Sequence, residues 1–347
     1  MKNLKKLLLL LLPAGVIMTT SCEGPMGKQG ADANQSCTEC HNNSAGIEAK
    51  QAQWEESLHA KGENAAYANR TGCVQCHTSQ GFLEYVAEGS TADISVPSDP
   101  MQINCYTCHK IHDTYTSDDF ALTKPGAEKL EQKYAGNVIT WDKGTSNQCV
   151  SCHQARDVSP LPVADGADYT IANTRIGSHH APNANMILGK IPFELAGEAY
   201  PTGNAHSSAE GCIDCHMAQP YGYLAGGHNM GMSYDAHGTE TLLTTGCLQC
   251  HSSETATTIA AKYNTLKTAI NDKLTVLRTQ LTAAGIYNPS TGLAKAGTFK
   301  ANAALAYLTY NTVTEDKSNG IHNPGYTRTL LDNAIASMTA LGYPAAK

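Results

Sequence analysis

Six times along the chain, two cysteines stand three positions apart with a histidine directly after the second. The copies are Cys37, Cys40, His41; Cys73, Cys76, His77; Cys105, Cys108, His109; Cys149, Cys152, His153; Cys212, Cys215, His216; and Cys247, Cys250, His251. Of the 13 cysteines only Cys22 is left over. Cys-x-x-Cys-His is the attachment signature of c-type haem. Two thiols add to the two vinyl groups of one porphyrin, and a turn of helix then brings the next imidazole over the iron as its proximal ligand. Disulfides, structural zinc and thioredoxin-like redox pairs also use closely spaced cysteines. None of them demands histidine at the fifth position every time, so the pattern is read as six haem c groups.

Eight histidines lie outside the motifs: His59, His112, His179, His180, His206, His228, His237 and His322. Six irons with imidazole on both axial sides need six more ligands, so no iron is forced to stay open. In "CYTCHKIHDTY", His112 follows His109 by three residues and stays on the same side of that ring. It is therefore expected to ligate a neighbouring iron and hold two porphyrins side by side. The other expected distal ligands are His59 in "QWEESLHA", His179 and His180 in "SHHAPNANMILGK", His206 in "NAHSSAEGC", His228 in "GGHNMGM" and His322. His237 is the expected spare. Glycines flanking His228 would let a porphyrin approach the backbone closely. Met217, Met230 and Met232 are alternative axial ligands, but methionine more commonly packs cores, and histidine is in sufficient supply.

The elements that must position these residues are unevenly distributed. Motif starts fall about 30 to 60 residues apart, and the chain has only 4 Phe and 2 Trp against 30 Gly. Large apolar side chains are too few for an ordinary core, so the porphyrin faces are expected to supply much of the buried apolar surface. Beyond His251 the pattern becomes helical: Ile259, Tyr263, Leu266, Ile270, Leu274, Leu277 and Leu281 form one apolar stripe. "AAGIYNPSTG" breaks it. A second helix is expected around 298–313, and a third carries Leu330, Leu331, Ile335, Met338 and Leu341. The expected fold is mainly α: a haem-cored multihaem cytochrome c with little β-sheet and long C-terminal helices.

At the other end, Lys2, Lys5 and Lys6 precede the apolar run Leu7–Leu12, followed by small residues before Cys22. The run is too short to span a bilayer and reads as an export signal. Thr19, Thr20 and Ser21 before Cys22 resemble a bacterial lipobox, in which the cysteine is acylated. The expected organisation is a lipoprotein signal peptide at 1–21, a flexible Gly-rich tether at 22–35, a six-haem region at 36–253 and a C-terminal helical region at 254–347. The expected location is the bacterial cell envelope, on the periplasmic or surface face and at the outer membrane. Removing residues 1–21 takes the formal charge from −7 to about −10, which argues against a nucleic-acid partner.

"WEESLHA", "HHAPNANMILG", "CIDCHM" followed by "GGHNM", and the ending "AYLTYNTVTEDKSNGIHNPGYTRTLLDNA" together resemble the multihaem c-type cytochromes related to cytochrome c nitrite reductase. The resemblance runs over most of the mature chain and is most specific in the C-terminal helices with the His-Asn-Pro turn. It implies that His322 is a distal haem ligand and that the long helices form a dimer contact. One departure bears on activity. The reductase's active-site haem takes a proximal Lys from a Cys-x-x-Cys-Lys motif, whereas all six motifs here end in histidine. The expected function is accordingly electron transfer through six mostly bis-His haems, to redox partner proteins or extracellular acceptors in anaerobic or extracellular respiration. No catalytic residue is expected of such a carrier. The alternative is a multihaem reductase of a small nitrogen or sulfur oxyanion, with one open haem served by Arg70, Arg156, Arg175 or Lys190. Association of copies through the C-terminal helices or in a filament is also expected to be open to the protein.

Overall fold

Short single turns of helix, joined by long irregular stretches, lead into three long helices. The computed structural model describes residues 40–41, 46–62, 64–91, 94–208 and 211–345; the leader, Cys22, the tether and Cys37 lie outside the described residues. First come α1 (Ile47–Glu55) and α2 (Leu58–Lys61). The stretch "WEESLHA" is thus divided, because the Ser57 hydroxyl accepts from Ala60 N and starts a new helix. Next are α3 (Val74–His77), α4 (Ser79–Glu88), α5 (Cys105–Cys108), α6 (Asn147–Val150), α7 (Asn183–Leu188), α8 (Ala205–Ser208), α9 (Cys212–His216) and α10 (Thr245–Cys250). The long helices are α11 (Ala256–Ala283), α12 (Ala301–Glu315) and α13 (Pro324–Ala340).

The fold is mainly α, and its strands are short. They are β1 (Glu128–Lys129), β2 (Thr140–Trp141), β3 (Tyr169–Ile171), β4 (Ser233–Asp235), β5 (Glu240–Leu242), β6 (Tyr287–Asn288), β7 (Leu293–Ala294) and β8 (Gly297–Phe299). They pair antiparallel as β1–β2, β3–β8, β4–β5 and β6–β7. The break after α11 is therefore a small hairpin.

Side-chain cores divide the molecule unequally. α11 packs along α12 and α13, and α12 along α13. Their facing residues, including Ile270, Leu277, Leu281, Leu305, Leu308, Leu330 and Leu331, share one cluster with Met186, Ile191 and Phe193 from around the end of α7. Around the motifs the clusters are small: Leu130, Ile139, Trp141, Val150, Ala184 and Ile187 in one, Ala68, Val74 and Ile94 in another. Among the described residues, the large apolar side chains that stay exposed all lie between Leu58 and Leu224, where the motifs and their partner histidines crowd.

The His-Asn-Pro turn that introduces α13 is built from local signals. The Asn323 side chain caps the helix by accepting from Tyr326 N, with Pro324 at the first helical position. Asn323 Nδ2 also donates to Ile187 O, and Asn204 Nδ2 donates to both Ile187 O and His322 O. These bonds fix the backbone of His322 against α7.

Candidate haem-binding sites

Each described motif closes one helical turn. His77 N donates to Cys73 O at 3.1 Å, His109 N to Cys105 O at 2.9 Å, His153 N to Cys149 O at 3.0 Å and His251 N to Cys247 O at 2.8 Å, while His216 ends α9. The turn carries both thiols and the imidazole on one short segment, as attachment to a single macrocycle requires.

What faces those imidazoles comes from elsewhere in the chain. Ring centroids are 6.3 Å apart for His41 and His112, 6.0 Å for His59 and His153, 6.2 Å for His77 and His179, 6.2 Å for His109 and His228, and 6.4 Å for His216 and His322. Two metal–nitrogen bonds of about 2 Å, extended by roughly 1 Å from nitrogen to ring centre on each side, come to about 6 Å. Direct packing of the rings does not account for the arrangement, because the interplanar angles run from 31° to 85°. Rotation about a shared N–metal–N axis permits any such angle. Five motif histidines are thus each faced by one non-motif histidine at the spacing of two axial ligands to one iron.

Hydrogen bonds orient several of the rings, and burial lowers the pKa of five of them. His109 Nδ1 donates to Phe120 O at 2.7 Å, and His216 Nδ1 to Met230 O at 2.8 Å. A carbonyl can only accept, so the proton sits on Nδ1 and Nε2 keeps the lone pair a metal needs. Met230 contributes its backbone here. His153 Nδ1 donates to Asn183 Oδ1 at 3.0 Å and His322 Nδ1 to Asp316 Oδ1 at 2.7 Å, while His112 Nδ1 lies 3.2 Å from the Tyr106 hydroxyl. Desolvation, then the charge of His153, lowers the His59 pKa to about 4; desolvation, then Arg156, does the same for His179. Burial likewise lowers His153, His216 and His228. Neutral imidazole is the ligating form.

The surroundings fit a flat apolar group between each pair of rings. Leu58, next to His59, is 85% exposed, and the exposed Tyr67, Tyr106 and Tyr115 have their rings beside His77 or His112. The Trp141 Nε1 is buried in the cluster that Cys212 joins, with no acceptor among the described residues; a porphyrin propionate fits it. Burial pushes the Cys108 and Cys215 thiols up to about 11, which suits a neutral thioether better than a zinc thiolate. Among the described residues no three His, Cys, Asp or Glu side chains converge to hold a metal unaided.

Four histidines stand outside the five pairs. His251 belongs to the sixth motif, and among the described residues, which include every histidine, no second imidazole ring faces it. His206, on α8, donates Nδ1–H to Ile321 O at 2.6 Å and leaves Nε2 available. His180 lies 4.7 Å from His179 and bonds Glu315 Oε2 at 2.7 Å, so the adjacent pair is split between a motif imidazole and a carboxylate. His237 sits at the tip of the exposed β4–β5 hairpin with φ 54°.

Contacts between motifs order the sites. Cys76 Sγ lies 3.9 Å from Ser151 O and Cys152 Sγ 4.0 Å from Gln75 O, so the second and fourth motifs meet reciprocally. The Cys149 and Cys212 thiols lie against each other, joining the fourth to the fifth. Cys108 is close to Gln148 and Cys149, and Cys215 is close to Cys247 and Cys250. "CYTCHKIH" joins the first site to the third, since His109 belongs to one pair and His112 to the other. The sites therefore run first, third, fourth, fifth, sixth, with the second beside the fourth. Of the basic residues considered for a reductase, Arg156 adjoins the second site, donating from Nη2 to Gly72 O at 2.7 Å.

Asn183, Asp316, Asn204 and the Phe120 and Met230 carbonyls were not singled out from the sequence. Asp316 had a signal, in that "EDKSNGIH" puts an acid six residues before a candidate ligand; carbonyl acceptors carry none.

No protein-family model matches the chain, and no curated protein matches it. Among solved structures, the crystal structure of the outer cell wall cytochrome OcwA is similar, with a TM-score of 0.50 at 20% identity over 83% of this chain and 50% of that one. The chain thus spans about half the length of that cytochrome. At this identity the likeness is one of fold, and the fold it shows for this chain is the mainly α fold of a cytochrome.

Proposed function

We propose that the protein transfers electrons through six covalently attached c-type haems. The observation that carries this reading is the set of five motif histidines, each faced by a remote imidazole at 6.0–6.4 Å. When bound, the haems supply reversible one-electron chemistry; the chain's own residues do the rest. Cys37, Cys40, Cys73, Cys76, Cys105, Cys108, Cys149, Cys152, Cys212, Cys215, Cys247 and Cys250 anchor the porphyrins. His41, His77, His109, His153, His216 and His251 are the proximal ligands, and His112, His179, His228, His59 and His322 the distal ligands of the first five in that order. For the sixth we assign His206. It stands six residues before Cys212, on a segment leading into α9, which packs on the α10 turn that carries Cys247 and Cys250, and its Nδ1 is anchored like those of His109 and His216. Imidazole on both sides of each iron favours low potentials over His/Met ligation.

Export and acylation at Cys22 would tether the carrier to the cell envelope, facing redox partners or extracellular acceptors; among the described residues no helix is long and apolar enough to cross a membrane. Mass spectrometry of protein matured in a host competent for haem attachment tests the reading. Six porphyrin additions are expected, and zinc or unmodified thiols would refute it. A second reading, a reductase with one open iron, is favoured by a single observation: His251 has no facing imidazole ring among the described residues. Cyanide or nitrite binding to the oxidised protein would select it; uniformly low-spin spectra without binding select the carrier.

A further inference from the structure

The His322 ring is held by a carboxylate. Asp316 follows the last residue of α12 and is 3% exposed. Its Oδ1 accepts from His322 Nδ1 at 2.7 Å and from Asn183 Nδ2 at 2.9 Å. The Oδ1 of Asn183 in turn accepts from His153 Nδ1 at 3.0 Å. Because a carboxylate only accepts, the amide's NH2 must face Asp316 and its oxygen His153. The Ser318 hydroxyl donates to Asp316 Oδ2. One buried carboxylate therefore anchors an axial imidazole of the fifth site directly and one of the fourth through a single amide. His109, His216 and His112 have neutral partners instead: the Phe120 and Met230 carbonyls and the Tyr106 hydroxyl. This charged anchor sits at the junction of two sites that the Cys149–Cys212 contact already joins.

We propose that Asp316 is a positioning residue that lowers the reduction potential of the fifth haem, and, relayed through Asn183, that of the fourth by less. This rests on the haem reading above. A carboxylate on the far nitrogen of a ligating imidazole raises the ligand's basicity, and more electron density at the iron stabilises its oxidised form. Burial keeps water from screening the charge. The effect sets the potentials of the fourth and fifth sites, which lie between the third and the sixth, below those that neutral anchors would give.

The test uses the full-length protein with its haems, titrated potentiometrically and followed by optical and electron paramagnetic resonance spectra. Asp316→Asn keeps the shape and removes the charge. All haems should stay low-spin, one wave should move to higher potential, a second should move less, and the signal lost in His322→Ala should be the one whose g-values change. Ser318→Ala removes a donor that competes for the carboxylate, so the same wave should move the opposite way. Asn183→Leu removes the acceptor of His153 and a second donor that competes for Asp316, so the fourth wave should move to higher potential and the fifth the way it moves in Ser318→Ala. Unmoved potentials in Asp316→Asn, or shifts of equal sign in Asp316→Asn and Ser318→Ala, overturn the proposal. If Asp316→Asn does not fold, Asp316→Glu and Ser318→Ala decide it, with Asp316→Glu expected to keep the wild-type wave. Fewer than six haems in the wild-type protein would instead refute the underlying reading.

Discussion

His112 stands three positions after His109, and a regular helix would keep both imidazoles on one side. The chain leaves the helix at His109, and His112 takes φ 65°, uncommon for a residue with a side chain. The Asp119 carboxylate holds that loop by accepting from the backbone N–H groups of His112, Thr114 and Tyr115. The ring arrives opposite His41, with Tyr115 stacked on it at 5.2 Å. His112→Ala is accordingly expected to turn one haem of six high-spin, the one on the first motif, without changing the others' resonance signals. Asp119→Ala should loosen the same centre and no other. At the sixth motif, His206→Ala should produce a second, separate high-spin centre while His237→Ala changes none; a high-spin sixth centre from His180→Ala would instead refute the assignment of His206.

At the scale of elements, the three C-terminal helices were legible because apolar residues recurring every three or four positions fall on one buried face only when the backbone is helical. Expected near 298–313, the second runs Ala301–Glu315. Less legible were the split between α1 and α2 and the hairpin that follows α11, since a serine cap and two-residue strands leave almost no periodicity. The His-Asn-Pro turn is the element on which the fifth site depends. Asn323→Ala removes a helix cap, a loss of about 1–2 kcal/mol, and also its bond to Ile187 O. Thermal unfolding should fall by several degrees, with the His216/His322 centre the first to change spectrum on heating. Gly81 is a second structural joint: a Cβ there would sit 2.4 Å from Val74 O. Gly81→Ala must push α4 away from α3, and the second centre's spectrum is expected to broaden or be lost while the C-terminal helices keep their circular dichroism.

Across the whole molecule, side-chain packing is unequally shared. The large cluster joins α11, α12 and α13 to the 186–195 stretch, whereas the motif region has two small clusters and many exposed apolar side chains. A chain produced without haem attachment should therefore show its slowest hydrogen exchange in α11–α13 and fast exchange from α1 to α6, as read by mass spectrometry. Equal protection in both parts would contradict the view that porphyrins complete the first part.

The motifs on which the proposed haem sites rest could be read from the sequence alone, because each lies within five consecutive residues and repeats six times. The supply of distal ligands could be counted as well. Which imidazole meets which motif could not: His59 reaches His153, His228 reaches His109 and His322 reaches His216, across separations set by how α7, α12 and the loops pack. The same holds for the link from His322 through Asp316 and Asn183 to His153: Asp316 is near His322 in sequence, but Asn183 and His153 join it only once the end of α12 meets the start of α7. Local chemistry specifies the donors; only the tertiary fold, by bringing remote backbone segments within hydrogen-bonding distance, specifies their partners.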